Sequence, residues 1–453
     1  MARHMKVVVI GYGTAGLTAA GFAHKFSREA EVIALEERHY AVYHPCSIPD
    51  VISGKVKAWS DIVEDVYKSP RFKVLTSMKV TGIDASNQRV YGINLASNSR
   101  FSIEYDKLIL ATGSRPLRLE GIPGSELAGI FCVKNVEDGM ELHRKALNSR
   151  KVVVIGAGPL GIEVSVALKT MGLKVSLIEL MPTILPGKVD RDLAIAIMNH
   201  MSSKGIEVLT NNKVVEFRGK GNYVEKVLTE ESEIDTDFVV LCVGVRPNVD
   251  LATKMGLKLG PLGGIKVDRK MRTSIENIFA AGDCAEVWDA ITGKPAMSFL
   301  ANACYQQGRV AGINAVGGDE TYRGTLFSWA VSTEYFNLGG VGLTSERARH
   351  EGFNAFSLKL KAHYKPHFYP DSKEIVVKVI VDASTLRILG AQIMGEINIS
   401  YILNFFALAI LRGLSVYDLV KMEQVYVPNL IGLPDPVFKV LEAIIRRARA
   451  QIR

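Results

Sequence analysis

The segment KVVVIGYGTAG, residues 6–16, decides the fold. Its first five residues predict a buried strand, and Gly11, Gly13 and Gly16 follow at the spacing of a dinucleotide-binding turn. In such a turn the first glycine permits a tight bend and the second lets the backbone approach a pyrophosphate. The third glycine lets the following helix pack closely on the strand. The segment therefore predicts the start of a βαβ unit.

The residues that follow complete this unit, and the unit then recurs. A helical pattern runs to Lys25, and a second strand ends at Glu36, which can accept a hydrogen bond from a ribose hydroxyl. The segment KVVVIGAGPLG, residues 151–161, repeats the pattern, and its second strand ends at Glu179. Two ordinary glycine turns are the alternative. The repetition of strand, helix and terminal acid favours two dinucleotide sites.

Composition excludes several classes of protein. The chain has 453 residues, of which 48% are hydrophobic and 23% charged, so we expect a globular protein of two or three domains. Five cysteines without a CxxC pair argue against a disulfide scaffold and a metal site, and favour a reducing cytoplasm. The longest apolar stretch, residues 401–411, is too short to span a membrane.

The net charge of +8 suits anionic ligands. Much of it comes from residues 439–453, which carry five positive charges against one negative and read as an amphipathic helix with a basic solvated face. No module with interleaved aromatic and basic residues is present, so we expect no nucleic-acid partner.

Three further segments extend the pattern along the chain. They are ILATGSRP at 109–116, VLCVGVRP at 240–247 and IFAAGD at 278–283. Together with the two glycine motifs they resemble the pyridine nucleotide–disulfide oxidoreductases over nearly the whole chain. The resemblance implies an α/β protein with two Rossmann-like domains, for FAD and NAD(P)H, and a C-terminal α+β dimerisation domain. It thus implies a flavoprotein oxidoreductase that forms a homodimer.

The resemblance also implies domain boundaries. The FAD domain would comprise residues 1–120 and 246–322, and the NAD(P)H domain residues 121–245. The dimerisation domain would comprise residues 323–453, in which segments 374–381 and 387–395 predict a hairpin.

Cofactor-binding residues follow from the same resemblance. Those implied for FAD are Gly11, Gly13, Thr14, Ala15, Gly16, Glu36, Arg38, Ala111, Thr112, Gly113, Arg115, Gly282, Asp283, Leu300 and Ala301. In this set Asp283 would bind the ribityl chain, and Leu300 and Ala301 would lie near the isoalloxazine. Those implied for the pyridine nucleotide are Gly156, Gly158, Pro159, Leu160, Gly161, Glu163, Glu179 and Gly244. Glu163 could equally be an ordinary acid of a first helical turn.

We expect NADH rather than NADPH. A carboxylate at Glu179 would accept a bond from the 2′-hydroxyl and repel a 2′-phosphate. The following residues, LMP at 180–182, offer no arginine to bind that phosphate.

Cys46 is the candidate redox residue. It lies ten residues after Glu36, in the polar, proline-containing segment YHPCSIP at 43–49. A helix starting just after it would lower the pKa of the thiol and favour the thiolate. The alternative is a buried structural cysteine, which is what we expect of Cys132, Cys242, Cys284 and Cys304. His44, two residues before Cys46, is expected to be solvated or to line a channel, and the alternative is that it stabilises the thiolate.

No second cysteine follows Cys46 closely, so an internal disulfide is excluded there. A lone thiol can cycle through a mixed disulfide with a small thiol or through a sulfenic acid. The first route corresponds to a disulfide or persulfide reductase, and the second to an NADH oxidase. An electron-transfer flavoprotein is a third possibility, which the presence of Cys46 disfavours.

Cys46 with Ile48, Pro49 and Gly54 resembles the single-cysteine branch that contains coenzyme A disulfide reductases and NADH oxidases. Peroxidase members and some oxidase members of that branch have a histidine in the first glycine loop, where this chain has Thr14, and this difference favours a reductase.

The C-terminal segment extends the resemblance to the reductases. Tyr426, followed by Asp435-Pro436, matches the reductase segment whose tyrosine reaches the cysteine of the other subunit. Tyr426 would then donate a proton to the leaving thiolate. A packing role is the alternative. A second family tyrosine maps onto Phe368 or Tyr369.

Departures from the branch leave the substrate open. Val42, Pro45 and Ser47 replace polar or small residues that coenzyme A reductases usually carry around the cysteine. Coenzyme A disulfide, another small disulfide, a persulfide or a polysulfide are therefore all candidate substrates. Oxygen is the candidate acceptor for the oxidase alternative.

Overall fold

A computed structural model describes residues 4–65 and 69–452. The chain forms two compact units. The first consists of Met1–Leu117, Lys134–Met140 and Val245–Thr325, and the second of Arg118–Val133, Glu141–Gly244 and Leu326–Arg453. Each unit is described by itself below.

The α-helices of the described residues are numbered along the chain. They are α1 Thr14–Phe26, α2 Ile48–Ile52, α3 Val136–Leu147, α4 Pro159–Thr170, α5 Arg191–Ser203, α6 Asp250–Lys254, α7 Ala301–Ala315, α8 Ser345–His350, α9 Ser400–Arg412, α10 Val416–Leu419 and α11 Pro436–Ile452. Two short 3₁₀-helices lie at Pro45–Ser47 and Trp59–Ile62. None of these helices is both long and apolar enough to cross a lipid bilayer.

The strands are numbered in the same way. Those before the second glycine motif are β1 Lys6–Ile10, β2 Glu31–Leu35, β3 Val42–Tyr43, β4 Val63–Glu64, β5 Phe72–Leu75, β6 Met78–Asp84, β7 Arg89–Asn94, β8 Ser99–Glu104, β9 Lys107–Leu110, β10 Ser114–Pro116 and β11 Ile130–Cys132. Those from that motif onward are β12 Lys151–Ile155, β13 Lys174–Ile178, β14 Ile206–Leu209, β15 Val214–Lys220, β16 Tyr223–Thr229, β17 Glu233–Asp235, β18 Val239–Leu241, β19 Val245–Pro247, β20 Ile265–Lys266, β21 Ile278–Ala280, β22 Ala285–Trp288, β23 Pro295–Ala296, β24 Trp329–Ser332, β25 Asn337–Gly342, β26 Ala355–His363, β27 Glu374–Asp382 and β28 Ile388–Gly395.

A parallel sheet in the order β21–β9–β1–β2–β5 forms the centre of the first unit. Its strands are mostly apolar, as expected of a parallel sheet that is covered on both faces, and helices α1 and α7 pack on it. Helix α1 packs against α7 so closely that a Cβ atom on Gly308 would lie 2.3 Å from the carbonyl oxygen of Ala15. An antiparallel sheet, β6–β7–β8, and several two- and three-strand pairings complete this unit.

The second unit contains a parallel sheet in the order β11–β18–β12–β13–β14. The strand that enters the second glycine motif, β12, therefore occupies the same central place as β1 in the first sheet. An antiparallel meander, β15–β16–β17, follows it. The two Rossmann-like sheets predicted from the repeated motif are confirmed.

The C-terminal part of the second unit is an antiparallel sheet in the order β24–β25–β28–β27–β26. Strands β27 and β28 pair as the hairpin predicted from the sequence. Helix α9 packs on β28 and β25, and the basic helix α11 packs on β26 and β27.

The observed units change close to the predicted domain boundaries, at residues 117/118, 244/245 and 325/326. The inserted nucleotide domain and the C-terminal sheet lie in one unit. Residues 134–140, assigned from the sequence to the nucleotide domain, instead pack with the first unit. The three-domain division itself stays a prediction.

A buried ionic cluster joins the start of helix α5 to the C-terminal sheet of the second unit. The ammonium of Lys378 on β27 lies 2.7 Å from Asp190 Oδ2 and 2.6 Å from Asp192 Oδ1, both at the start of α5. Asp190 also accepts bonds from the backbone amide and hydroxyl of Ser345, and its own amide donates to Gln392. The side chains of Lys378 and Asp190 are only 9% and 8% exposed, so each charge depends on its partners for solvation.

We expect Lys378→Met to lower the free energy of unfolding by about 3–5 kcal/mol, because it leaves Asp190 buried without its cation. Urea denaturation measures the loss. Lys361→Met is the matched control on the neighbouring strand, since Lys361 forms an exposed pair with Glu374. That variant should change stability by no more than about 1 kcal/mol. Equal effects of the two substitutions would contradict the assigned role of the cluster.

Candidate dinucleotide sites and redox cysteine

The first glycine turn is shaped by close backbone contacts. Gly11 has a φ of +89°, and a Cβ atom there would lie 2.3 Å from the carbonyl oxygen of Ala111. A Cβ atom on Gly16 would lie 1.9 Å from the carbonyl oxygen of Gly11. Gly13 differs, because a Cβ atom there would meet nothing within 4 Å. The turn therefore leaves open space at the glycine that would face a pyrophosphate.

Helix α1 begins at Thr14, and its N-cap, Gly13, provides no side-chain hydrogen bond. The first amides of a helix have no intrahelical acceptor and attract anions. Ala15, in the first turn, is buried against the sheet. The start of this helix thus fits the phosphates of a dinucleotide.

Glu36 closes the first site. Its carboxylate is buried and accepts hydrogen bonds from the Tyr12 amide at 2.9 Å, the Arg38 amide at 3.0 Å and Arg38 Nη2 at 2.9 Å. A carboxylate has about four acceptor positions, so one remains for a ribose hydroxyl. The guanidinium of Arg38 also donates to Tyr43 Oη at 3.0 Å. Arg38 therefore links the acid to the segment that leads to Cys46.

The second glycine turn repeats this geometry. Gly156 has a φ of +97°, and a Cβ atom there would lie 2.5 Å from the carbonyl oxygen of Cys242, while Gly158 again faces open space. Glu179 accepts bonds from the Ala157 amide at 2.8 Å and the Met181 amide at 2.9 Å. The amides of Tyr12 and Arg38 donate to Glu36 in the same way. Met181 therefore occupies the position of Arg38 but has no guanidinium to bind the acid.

Helix α4 follows this turn and begins at Pro159, whose missing N–H suits the first helical position. Leu160, Gly161 and Glu163 lie in its first turns, and Glu163 is half-buried. Gly244, in the turn after β18, has a φ of +102°. The residues predicted for the pyridine nucleotide thus gather at the carboxyl edge of the second parallel sheet.

The late acid of the first unit is held by three donors. Asp283 follows β21 and Gly282, and its Oδ2 accepts from Ser114 Oγ at 2.6 Å and from Lys134 Nζ at 3.5 Å. Its Oδ1 accepts from the thiol of Cys304 at 3.3 Å. Leu300 and Ala301 form the start of α7, the helix that carries Cys304. Sequence reasoning missed both Ser114, although it lies within the ILATGSRP segment, and Lys134, which no motif marks.

The ATG segment, residues 111–113, is tied to a second turn of the same unit. Thr112 Oγ1 donates to the Asn248 carbonyl at 2.6 Å, and Asn248 Nδ2 donates back to the Thr112 carbonyl at 2.9 Å. The guanidinium of Arg115 donates to Asn248 and Asp250 at 2.8 and 2.9 Å. Arg115 thus has protein partners, and its predicted contact with FAD stays a prediction.

Cys46 lies in the 3₁₀-helix Pro45–Ser47, and α2 begins at Ile48, where the sequence predicted a helix start. Its side chain is exposed, and none of the five cysteines forms a disulfide. His44 Nε2 lies 2.7 Å from Glu64 Oε1 at the exposed end of the β3–β4 pair, as expected of a solvated histidine.

The other cysteines are less accessible than Cys46. Cys284 and Cys304 are buried as predicted, and burial raises the pKa of both thiols. Cys132 and Cys242 are half-buried rather than fully buried, and Cys132 packs against the hydrophobic core of the second unit. Cys132 is the last residue of β11 and Cys242 follows β18, so both lie at the carboxyl ends of parallel strands.

Tyr426 lies in the second unit, in an irregular segment between α10 and α11, and is 46% exposed. Asp435 ends this segment and caps α11 by accepting a bond from the Phe438 amide. Large apolar side chains are exposed along α9, α10 and this segment. They are Tyr401, Leu408, Leu411, Tyr417, Met422, Val425, Tyr426, Val427, Leu430 and Leu433. Exposed apolar side chains in this number are typical of a protein–protein interface.

Phe368 and Tyr369 lie in the connection between β26 and β27. Phe368 is 69% exposed, whereas Tyr369 is half-buried below the ammonium of Lys365.

Among residues 4–65 and 69–452, no three histidine, cysteine or acidic side chains are grouped as metal ligands.

We expect Gly13→Ala to leave the protein folded and to speed FAD release about tenfold or more. Its φ of −69° suits alanine, but the methyl group would occupy the open approach to the turn and cost a main-chain contact with a phosphate. Fluorescence of released FAD measures the rate. Gly21→Ala in α1 is the control, since its Cβ also meets nothing within 4 Å. FAD release at the wild-type rate from Gly13→Ala would contradict the assignment.

Comparison with known proteins agrees with this geometry. Residues 5–308 match the family model described as pyridine nucleotide-disulphide oxidoreductase, and residues 328–431 match the dimerisation domain of that family. An NADH oxidase of Methanocaldococcus jannaschii is 33% identical and covers 98% of this chain and 99% of its own. A CoA-dependent NAD(P)H sulfur oxidoreductase of Pyrococcus furiosus is 31% identical over 95% and 97%.

Among solved structures, an NAD-dependent persulfide reductase from A. fulgidus superposes with a TM-score of 0.93. It is 30% identical and covers 98% of this chain and 84% of its own. The predictions of family, fold class and enzyme class are confirmed. The chain belongs to the pyridine nucleotide-disulphide oxidoreductase family, carries its dimerisation domain, and is an NAD(P)H-dependent oxidoreductase.

Proposed function

We propose that the protein is an NADH-dependent flavoenzyme that reduces a small-molecule disulfide, persulfide or polysulfide through Cys46. FAD would occupy the first glycine turn with Glu36 and Asp283, and NADH the second turn with Glu179. Bound FAD would supply two-electron transfer between the dihydronicotinamide and sulfur.

The observation that carries this proposal is the exposure of Cys46. It is the exposed cysteine of the chain, and it lies in the same unit as the first glycine turn. Cys284 and Cys304 are buried, and their raised pKa keeps them as thiols. Because the thiolate is the attacking form, an exposed thiol is the better nucleophile.

The chemistry of Cys46 follows from its being a single thiol. Its thiolate attacks one sulfur of a substrate RS–SR, which forms a Cys46–S–S–R bond and releases RS⁻. Two electrons, which originate from NADH, and two protons then cleave this mixed disulfide to the Cys46 thiol and RSH. Exposure lets a small substrate reach the sulfur from solvent.

Tyr426 is proposed as a proton donor to the leaving thiolate. A phenol can act as a general acid when it lies within hydrogen-bond reach of the leaving group. Its segment, exposed and rich in apolar residues, is matched up to residue 431 by the dimerisation domain of the family. We propose that the homodimer brings Tyr426 of one subunit to Cys46 of the other.

Coenzyme A is one candidate for the leaving thiol. The Pyrococcus furiosus relative is named as CoA-dependent, and the positive charge of this chain suits a phosphorylated substrate. Val42, Pro45 and Ser47 surround Cys46 with fewer polar groups than coenzyme A reductases usually have. A free persulfide or polysulfide would need fewer such groups.

The proposed location of the protein is the reducing cytoplasm.

An NADH oxidase is the alternative, favoured by the name of the Methanocaldococcus jannaschii relative. In that reaction oxygen is reduced to peroxide at the expense of NADH. The Cys46 thiolate then attacks one oxygen of hydrogen peroxide to form a sulfenic acid, and the other oxygen leaves as hydroxide. Two electrons and two protons return the sulfenic acid to the thiol and release water.

Cys46→Ser should lower NADH-dependent turnover of disulfides and persulfides by more than about 100-fold, because serine cannot form the mixed disulfide. Cys132→Ser, at a half-buried thiol, is the control and should retain activity. Mass analysis of wild-type protein under non-reducing conditions then separates the two candidates. A small-thiol adduct on Cys46 supports the reductase, and a sulfenic acid without an adduct supports the oxidase. Full turnover by Cys46→Ser with every acceptor would refute both.

The wild-type enzyme should have a higher kcat/KM for NADH than for NADPH, because the Glu179 carboxylate repels a 2′-phosphate. Replacing Glu179 by Ala together with Leu180 by Arg should shift the NADPH/NADH ratio of kcat/KM by about tenfold or more. Leu180 is 61% exposed, so arginine has room there. The single variant Leu180→Arg separates the effect of the added positive charge from the effect of removing the Glu179 carboxylate. A wild-type preference for NADPH would overturn the assignment of Glu179.

A further inference from the structure

Three donors from three separate elements hold the Asp283 carboxylate. Ser114 is on β10, Cys304 is on α7, and Lys134 precedes α3. Lys134 Nζ also donates to Ser114 Oγ at 2.8 Å, so it orients a second donor of the same carboxylate. The side chain of Asp283 is 17% exposed, and Lys134 is its cation. The lysine therefore supplies positive charge to this acid and also orients Ser114, the donor closest to it.

The backbone of Lys134 is itself fixed. Its amide donates to Asp138 Oδ2 at 2.9 Å, and its carbonyl accepts from Tyr43 Oη at 3.5 Å. Asn135 and Asp138 bond each other's amides, at 3.2 and 2.8 Å, in a reciprocal cap at the start of α3. Lys134 is thus held between the helix behind it and the segment that leads to Cys46.

The first turns of α3 also pack against the Cys46 segment. A Cβ atom on Gly139 would lie 2.6 Å from the Trp59 ring and 2.8 Å from Ile48 Cγ2, so the helix packs closely against both side chains. Glu137 accepts a bond from Tyr40 Oη at 2.7 Å. Ile48 follows Cys46 by two residues and is completely buried. The position of α3 therefore constrains the base of the cysteine segment.

We propose that residues 134–140 form a brace between the cofactor acid and the redox cysteine, with Lys134 as a positioning residue that acts through Asp283. The proposal rests on the proposed function, which places FAD at Asp283 and redox chemistry at Cys46. No motif assigns a role to this segment, and its neighbours in sequence on both sides belong to the other unit.

The physical consequence of losing the cation follows from the donors that would remain. With a neutral side chain at position 134, Asp283 keeps one hydroxyl and one thiol donor, and a thiol is a weak donor. A largely buried carboxylate without its cation rotates or recruits water to recover solvation. Both responses weaken the bond between Asp283 and a ribityl hydroxyl. The substitution also removes the contact between Asp283 and the residue that precedes α3.

The experiment measures FAD release and Cys46 alkylation in Lys134→Met and Lys134→Arg. Lys134→Met should release FAD about tenfold faster or more, since it removes charge-assisted hydrogen bonds. At saturating FAD, its Cys46 should react faster with iodoacetamide. Lys134→Arg retains the charge, so its rates of FAD release and of Cys46 alkylation should be close to those of the wild-type protein. Lys270→Met is the matched control, because Lys270 lies in the same unit, pairs with Asp319 and is 36% exposed against 33% for Lys134.

Gly139→Ala tests the other end of the brace. The added methyl group would press on Trp59 and Ile48, so Cys46 alkylation should change while Asp283 and its donors stay intact. Wild-type FAD release in Lys134→Met overturns the proposal. Faster release with an unchanged alkylation rate also overturns it, because Lys134 would then act on Asp283 alone. Failure of the wild-type protein to bind FAD would instead overturn the proposed function.

Discussion

The close approach of a glycine turn to the neighbouring strand is the contact on which the rest of the structure depends. Gly11 meets the Ala111 carbonyl and Gly156 meets the Cys242 carbonyl at distances that admit no Cβ atom. This contact brings β1 beside β9 and β12 beside β18, and directs the following helix back across its sheet. The helix start and the strand-terminal acid then face the same edge, where a dinucleotide can contact both.

The two copies of this turn share their backbone bonds but differ in what surrounds them. At the first, Arg38 links the acid to Tyr43 and so to the cysteine segment. At the second, Met181 takes that place and makes no such link. The edge strands next to β9 and β18 differ as well, because β11 precedes its glycine motif in the chain, whereas β21 follows the whole insertion. That position of β21 places Asp283 at the first site.

Burial distinguishes Cys46 from the buried thiols of Cys284 and Cys304. Cys304 donates to Asp283 and is buried, so its thiol serves as a structural donor. Cys46 is exposed on a short 3₁₀-helix, and Ile48, Pro49, Val51 and Ile52, which follow it in α2, are buried. The sulfur of Cys46 is therefore open to solvent, while the helix that follows it is anchored in the core.

The sequence by itself determined the repeated βαβ units, their acids and the C-terminal hairpin, because local spacing and apolar periodicity encode them. The family, the helix start after Cys46 and the predicted burial of Cys284 and Cys304 followed from the same local signals. Only the tertiary structure decided that Cys132 and Cys242 are half-buried, that Arg115 pairs with Asn248 and Asp250, and that residues 134–140 pack beside Asp283 and Ile48. Those contacts join residues far apart in the chain, and no local pattern specifies which distant surface a side chain meets.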